Sequence, residues 1–192
     1  MSGAEYTNPA YDFPTAVTLD GEPFAIRNAC DYRTVLDCIA ALTDEELSER
    51  QKVQCALVIF YEDYDRISDV QGAIDAMFRI IRAGDTEPAA PEKPPLMDWQ
   101  KDFSQLAPPV SRVLGYEVRT PGRYTHWWTF VGAYMEIGEC TFATIVSIRA
   151  KKQSGKRLEP WEEAFYREHY ETVALPVKLS AEEQAFFDVF GQ

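Results

Sequence analysis

Two histidines and four cysteines are the residues of this 192-residue chain best suited to chemistry, and His126 stands directly before a tryptophan pair in YTHWWTF (124–130). An imidazole titrates near neutral pH, so it can act as a general base or a metal ligand. Neither role finds partners in the sequence. Cys30, Cys38, Cys55 and Cys140 form no CxxC pair, and His126 and His169 lie far from metal-ligand spacing. The thiols read as reduced and mostly buried. No G-x-S-x-G, phosphate-binding glycine loop, HExxH or GxGxxG occurs. The acidic runs DEELSER (44–50) and EDYDRISD (62–69) lack the spacing and central glycine of a calcium loop. In so acidic a chain no single carboxylate pair is informative. The expectation is a non-enzymatic protein with no cofactor, no metal and no catalytic residue. A ligand pocket beside His126 and Trp127 is the weaker alternative.

The surroundings of the tryptophan pair point to packing. From Tyr124 to Gly138 the one formally charged residue is Glu136. Trp127, Trp128, Phe130, Val131, Tyr134, Met135 and Ile137 cover nearly the whole circumference of a helix, and a helix apolar all round is a buried one. His126 falls at its N-terminus, where the dipole disfavours protonation and the ring can hydrogen-bond locally. The pair is therefore expected to centre a core, with a partner-binding face as the alternative.

The elements that would hold this segment are mostly helical. Residues 16–26 read as a small hairpin, with Asp20-Gly21 supplying the positive φ of a tight turn and Pro23 confining its arm to an edge. Three helices follow. The first is capped near Asp31 and carries Tyr32, Val35, Leu36, Ile39 and Leu42 on one face. The second opens on Ser48 and Gln51 and carries Val53, Leu57, Phe60 and Tyr61. The third opens on Ser68 and Gln71, carries Val70, Ile74, Met77, Phe78 and Ile81, and stops at Gly84. DTEPAAPEKPP (85–95) has four prolines in eleven residues and reads as a linker. The division expected is thus an acidic hairpin-plus-three-helix module (1–84), a linker (85–95) and a second helical module (96–192).

In that second module Trp99, Phe103 and Leu106 share a helix face, Pro108-Pro109 is expected to break the helix and open another, and Gly115 ends it. A helix follows Thr141, with Phe142, Ile145, Val146 and Arg149 on one face and Ser154-Gly155 at its end. Pro160 opens another, with Trp161 and Phe165 facing the core. Ser180 and Glu183 open a last helix carrying Ala185, Phe186, Phe187, Val189 and Phe190. So many phenylalanines imply docking on the chain's own domain or on another chain.

Charge narrows the partners. Formal net charge is −12, and residues 1–95 carry 18 Asp/Glu against 8 Lys/Arg. Such a surface repels nucleic acid. The exception, RAKKQSGKR (149–157), has five basic residues and no interleaved aromatics, and reads as a helix end and loop. No apolar run approaches the ~18 residues that span a bilayer. The N-terminus has no basic start and no apolar core of a secretory signal, so a cytoplasmic protein is expected.

MDWQKDF (97–103), APPVSRVLGYEVR (107–119), HWWTF (126–130), GECTFATIVSIRAKKQSGKRLEP (138–160) and WEEAFYREH (161–169) come in an order that resembles one family. It is the small tail-gene family of phages and prophages of Gram-positive bacteria titled phage gene product fifteen. The hairpin, the helices and the proline-rich stretch are similar to it as well, so the resemblance covers most of the chain. An aliphatic residue often precedes the histidine in that family; here it is Thr125. Genes of this kind resemble those placed just before the tape-measure gene, the position of tail assembly chaperones. The resemblance implies a helical, acidic, non-enzymatic protein that coats the tape-measure protein in the host bacterial cytoplasm, self-associates, and is not expected in the finished virion. A structural tail component, such as a tube, connector or terminator subunit, is the alternative. The contact residues expected are Phe186, Phe187, Val189 and Phe190, with any exposed part of the Trp99/Phe103 and Trp161/Phe165 faces.

Overall fold

The computed structural model describes residues 12–83 and 95–175. The protein is mainly helical with one short N-terminal hairpin. Strands β1 (Ala16–Leu19) and β2 (Glu22–Ala25) pair antiparallel, with Val17 opposite Phe24 and Leu19 opposite Glu22. Asp20 and Gly21 both take positive φ, 49° and 83°, as a primed turn requires. Alternation puts Val17, Leu19 and Phe24 on one face, and β1 packs on the third helix.

Contacts divide the chain into two compact units, Met1–Lys93 with Trp99–Cys140, and Pro94–Asp98 with Thr141–Gln192. The division expected from the prolines at 85–95 is therefore displaced. Proline marks where neither helix nor sheet can continue, but packing decides where a unit ends, and here the helix after the prolines packs on the first helix of the chain as well as on the helix that follows it.

The first unit contains α1 (Tyr32–Thr43), α2 (Glu49–Phe60), α3 (Val70–Ile81), α4 (Trp99–Leu114) and α5 (Trp127–Met135). Asp31 caps α1 as its sequence position suggests, accepting the Arg33 N–H at 3.0 Å. Gln51 reaches back to the Ser48 N–H at 3.0 Å at the start of α2. The third cap differs from expectation. Asp69, not Ser68, closes the N-terminus of α3, accepting the Gly72 N–H at 2.8 Å, while the Ser68 hydroxyl donates to Asp20. Gly72 makes this cap possible, since a Cβ there would lie 2.1 Å from an Asp69 carboxylate oxygen. The buried face of α3 is also rotated from the expected one. Ala73, Ala76, Met77 and Ile80 are inside, and Val70 is exposed. A small side chain at 73 goes with the close approach of Tyr61, whose hydroxyl donates to the Ala73 carbonyl at 2.9 Å.

Helix α4 runs unbroken through Pro108 and Pro109, where a break was expected. The prolines remove donors to the Ser104 and Gln105 carbonyls. Those residues are exposed and half-buried, so water can take the freed acceptors. Buried Pro109, Leu106, Ala107 and Val110 hold the helix by packing. Gly115, at φ 74°, ends it.

The second unit contains α6 (Thr141–Gln153), α7 (Pro160–Glu168) and the single turn α8 (Tyr170–Val173). Ile145, Ile148 and Val173 form its core, with Leu158, Phe165 and Tyr166 packed against them. Gly155 ends α6 at φ 65°, and Pro160 opens α7, as the sequence suggests. The helical position of Trp161 differs. The inward face of α7 is Glu162, Phe165 and Tyr166, one residue out of register with an inward Trp161, which is 59% exposed. Glu162 takes the inward place because it is doubly satisfied there, accepting from Lys151 Nζ at 2.6 and 2.7 Å and from the Glu159 N–H at 2.8 Å. Those hydrogen bonds hold its carboxyl below the ordinary range.

Candidate functional site

The segment with the greatest density of functional side-chain types, His126-Trp127-Trp128, is built into the first unit at the start of α5. His126 is the N-cap of that helix. Its Nδ1 accepts the Trp128 N–H at 3.1 Å, so the ring proton sits on Nε2, which donates to the Pro14 carbonyl at 3.2 Å. Phe13 stacks on the imidazole at 4.4 Å. Burial lowers the pKa of the ring, against the opposing pulls of the Pro14 carbonyl and the Asp31 charge. Both ring nitrogens are thus engaged, and the imidazole presents no free lone pair to a substrate or a metal.

The two tryptophans reach in another direction. Trp127 Nε1 donates to the Ile81 carbonyl at 2.8 Å, and Trp128 Nε1 to the Ile80 carbonyl at 2.9 Å. These are the last residues of α3, where carbonyls lack the i+4 helical donor, although the Ile80 carbonyl also accepts the Ala83 N–H at 3.0 Å. The adjacent indoles therefore cap the C-terminus of α3, and His126 caps the N-terminus of α5. The trio joins three segments that are distant in sequence.

Around it lies a continuous aromatic core. Phe130 stacks on Tyr32 at 4.6 Å and on Trp127 at 5.8 Å, and Trp99 meets Trp127 edge-on at 5.6 Å. Phe103 stacks near Tyr32 and Phe130 at 6.1 and 6.3 Å. Trp99 and Phe103, expected as candidate contact residues, are half-buried parts of this core. Helix α5 is nevertheless not enclosed all round, contrary to what its composition suggests. Met135 is 71% exposed, because a nine-residue helix buries only the face of Trp127, Phe130 and Ala133.

Before α1 the backbone is strained. Asn28, Ala29 and Cys30 take φ of 53°, 51° and 63°, three consecutive left-handed residues without a glycine. Each costs on the order of 1–2 kcal/mol for a residue with a Cβ, somewhat less for Asn. Surrounding bonds hold the turn: Tyr124 donates to the Ala29 carbonyl at 2.8 Å and Asn28 Nδ2 to Thr34 at 3.1 Å. Cys30 is fully buried, and burial pushes its thiol up to about 12, although a backbone hydrogen bond from Trp127 pulls the other way. Burial does the same to Cys38. Neither thiol is poised as a nucleophile.

Arginines organise the rest, and of these only Arg149 was placed on a helix face from the sequence. Arg27 donates to the Val58, Ile59 and Tyr61 carbonyls and so caps α2. Arg33 donates to Val118, Thr120 and Arg123, fixing the loop before His126, and Arg112 donates to Ile137 after α5. Asp31 closes the same loop by accepting the Thr125 N–H at 2.9 Å. In the second unit Arg149, itself buried, donates to Val173 at 2.7 Å, Thr172 at 3.0 Å and Leu96 at 3.1 Å. An open cleft of about 250 Å³ is lined by Tyr32, Arg33, Leu36, Asp37, Phe103 and Arg119. Arg33 is taken up by backbone carbonyls and Arg119 by Glu117, at 2.8 and 2.9 Å, a pairing that lowers the Glu117 carboxyl to about 2. No group of three or more His, Cys, Asp or Glu among the described residues could hold a metal. No buried side-chain polar atom among them lacks a partner.

Of the contact residues expected from the sequence, Trp161 alone stands well out on a described surface. Phe165 is half-buried on the second core, and Phe186, Phe187, Val189 and Phe190 lie outside the described residues. No helix among the described residues is long and apolar enough to cross a membrane. No family model, no curated protein and no solved structure matches this chain. The likeness to phage gene product fifteen therefore rests on its motifs alone.

Proposed function

We propose that this protein is a non-enzymatic assembly chaperone for a phage tail, holding the tape-measure protein soluble in the host cytoplasm until the tube forms. The observation that carries the reading is how the side chains are used. Among the residues with chemical potential, His126, Cys30, Cys38, Arg27, Arg33, Arg112 and Arg149 are committed to caps and core, whereas Trp161 and Tyr170 stand outside at 59% and 53% exposure. That pattern supports protein binding over turnover, since tryptophan and tyrosine are the residues on which interface energy concentrates. The order of the sequence motifs supports the identity of the client. A net charge of −12 would keep a many-copy complex dispersed.

The test is co-expression with a candidate tape-measure protein from the genome that encodes this chain, followed by pull-down and light scattering. The expected result is a soluble complex with many copies of this chain per client, weakened by Trp161→Ala. An insoluble client with no complex, together with this chain in purified virions, would overturn the reading in favour of a structural tail component.

A further inference from the structure

We infer that the outer face of α5 is a contact between two copies of this chain, paired antiparallel about Gly132. The other described glycines have reasons within the chain. Gly21, Gly115, Gly122, Gly138 and Gly155 take positive φ, and Gly72 makes room for the Asp69 carboxylate. Gly132 has neither reason. It lies inside α5, and a Cβ there would meet nothing within 4 Å. Glycine in a helix interior weakens the helix relative to alanine. What it gives in return is a flat spot on the outer surface, where a second backbone can come close.

The residues around that spot are apolar and open. At 3.6 residues per turn, Trp128 and Met135 share the side of Gly132, away from the buried face of Trp127, Phe130 and Ala133. Trp128 is half-buried, and Met135, at 71%, is the most exposed large hydrophobic residue described. Val131 borders this stripe on the Trp127 side, and Glu136 borders it on the other.

The face is complementary to itself. Trp128 stands about one turn before Gly132 and Met135 about one turn after it, so an antiparallel copy crossing at the glycine lays each Met135 thioether against the opposite Trp128 ring. Charge agrees with that symmetry. Arg82 directly follows Ile80 and Ile81, whose carbonyls take the two indoles, so it stands exposed at the N-terminal end of the stripe, on the Trp127 side. Glu136 stands exposed at the C-terminal end on the opposite edge, with exposed Glu139 beyond it. Arg112 also reaches that end, but its guanidinium is turned onto the Ile137 carbonyl. A twofold axis through Gly132 exchanges both ends and both edges, and so brings Arg82 of each copy to Glu136 of the other. Neither side chain is in an ion pair among the described residues. Two nine-residue helices bury less than the ~1,200 Å² of a stable interface, so the dimer is weak and concentration-dependent. The contact does not depend on the chaperone reading.

Sedimentation equilibrium of the full chain, from about 5 to about 500 μM, tests it. The expected result is a reversible dimer at the upper end. Gly132→Gln should abolish it while leaving the melting temperature of the dilute protein unchanged or higher, because glutamine is a good helix former and has open space there. Arg82→Glu and Glu136→Arg should each weaken the dimer by at least about tenfold, since each sets like charges together twice. An equimolar mixture of these two variants should recover it, because every pair across the mixed dimer is then of opposite sign. A wild-type chain that stays monomeric throughout would overturn the inference. So would a dimer indifferent to Gly132→Gln, or single variants that do not recover on mixing.

Discussion

Replacing Trp127 tests the central claim that the HWW segment is a structural clasp. The side chain is 2% exposed, packs against Trp99 and Phe130, and donates its indole N–H to Ile81 at 2.8 Å. Truncating a buried tryptophan to alanine costs about 3–5 kcal/mol. Trp127→Phe keeps most of the ring contacts and deletes the donor, leaving the Ile81 carbonyl unpaired at about 1–3 kcal/mol. Trp128 is half-buried, so water can replace its donor, and Trp128→Phe should cost about 1 kcal/mol. With a urea slope of about 2 kcal/mol per molar, the midpoint should fall by about 1.5–2.5 M for Trp127→Ala and about 0.5–1.5 M for Trp127→Phe. Far-ultraviolet circular dichroism is the assay. If the two units unfold in separate steps, only the transition of the first should move. A shift under about 0.5 M for Trp127→Ala would refute the core placement. A silent Trp127→Phe, beside a costly Trp127→Ala, would refute the cap and leave only packing.

His126 should make the first unit sensitive to mild acid. Its folded pKa is lowered, so the unfolded chain binds the proton first; the stabilisation is complete above the unfolded value of 6.5 and is lost as pH falls from there through the folded value. His126→Asn, which can still cap the helix, should flatten that dependence between neutral pH and the onset of carboxylate titration; an unchanged slope would place its origin elsewhere. Ellman's reagent should leave Cys30 and Cys38 unmodified in the native protein and react first at the half-buried Cys55 and Cys140, with all four thiols released by denaturant. Glu162→Gln should lower the melting temperature of the second unit, whereas Glu163→Gln, at an exposed position of the same turn, should leave it unchanged. Equal effects would show that the Lys151 pairing contributes nothing specific.

The sequence by itself determined the helical class, the hairpin and most element ends, because those depend on near neighbours. Asp20-Gly21, Asp31, Gly115, Gly155 and Pro160 each act within one turn of the backbone, and each sits where local chemistry puts it. Apolar periodicity likewise located the cores around Tyr32 and Phe130 and around Ile145. Tertiary structure alone decided which carbonyls at helix ends find donors. Arg27 serves α2 from 31 to 34 residues away, and Trp127 and Trp128 serve α3 from 46 and 48 residues away, distances at which no spacing rule applies. It also decided the register of α7, where a carboxylate paired with Lys151 took the inward place and left Trp161 outside. The same holds for the helix that runs through Pro108-Pro109. Local propensity there favours a break by a few kcal/mol, and burial of Leu106, Ala107, Pro109 and Val110 outweighs it. Local signals fix what a segment can be. The partners that satisfy its buried polar groups, and the face it leaves to solvent, depend on residues the chain brings from elsewhere.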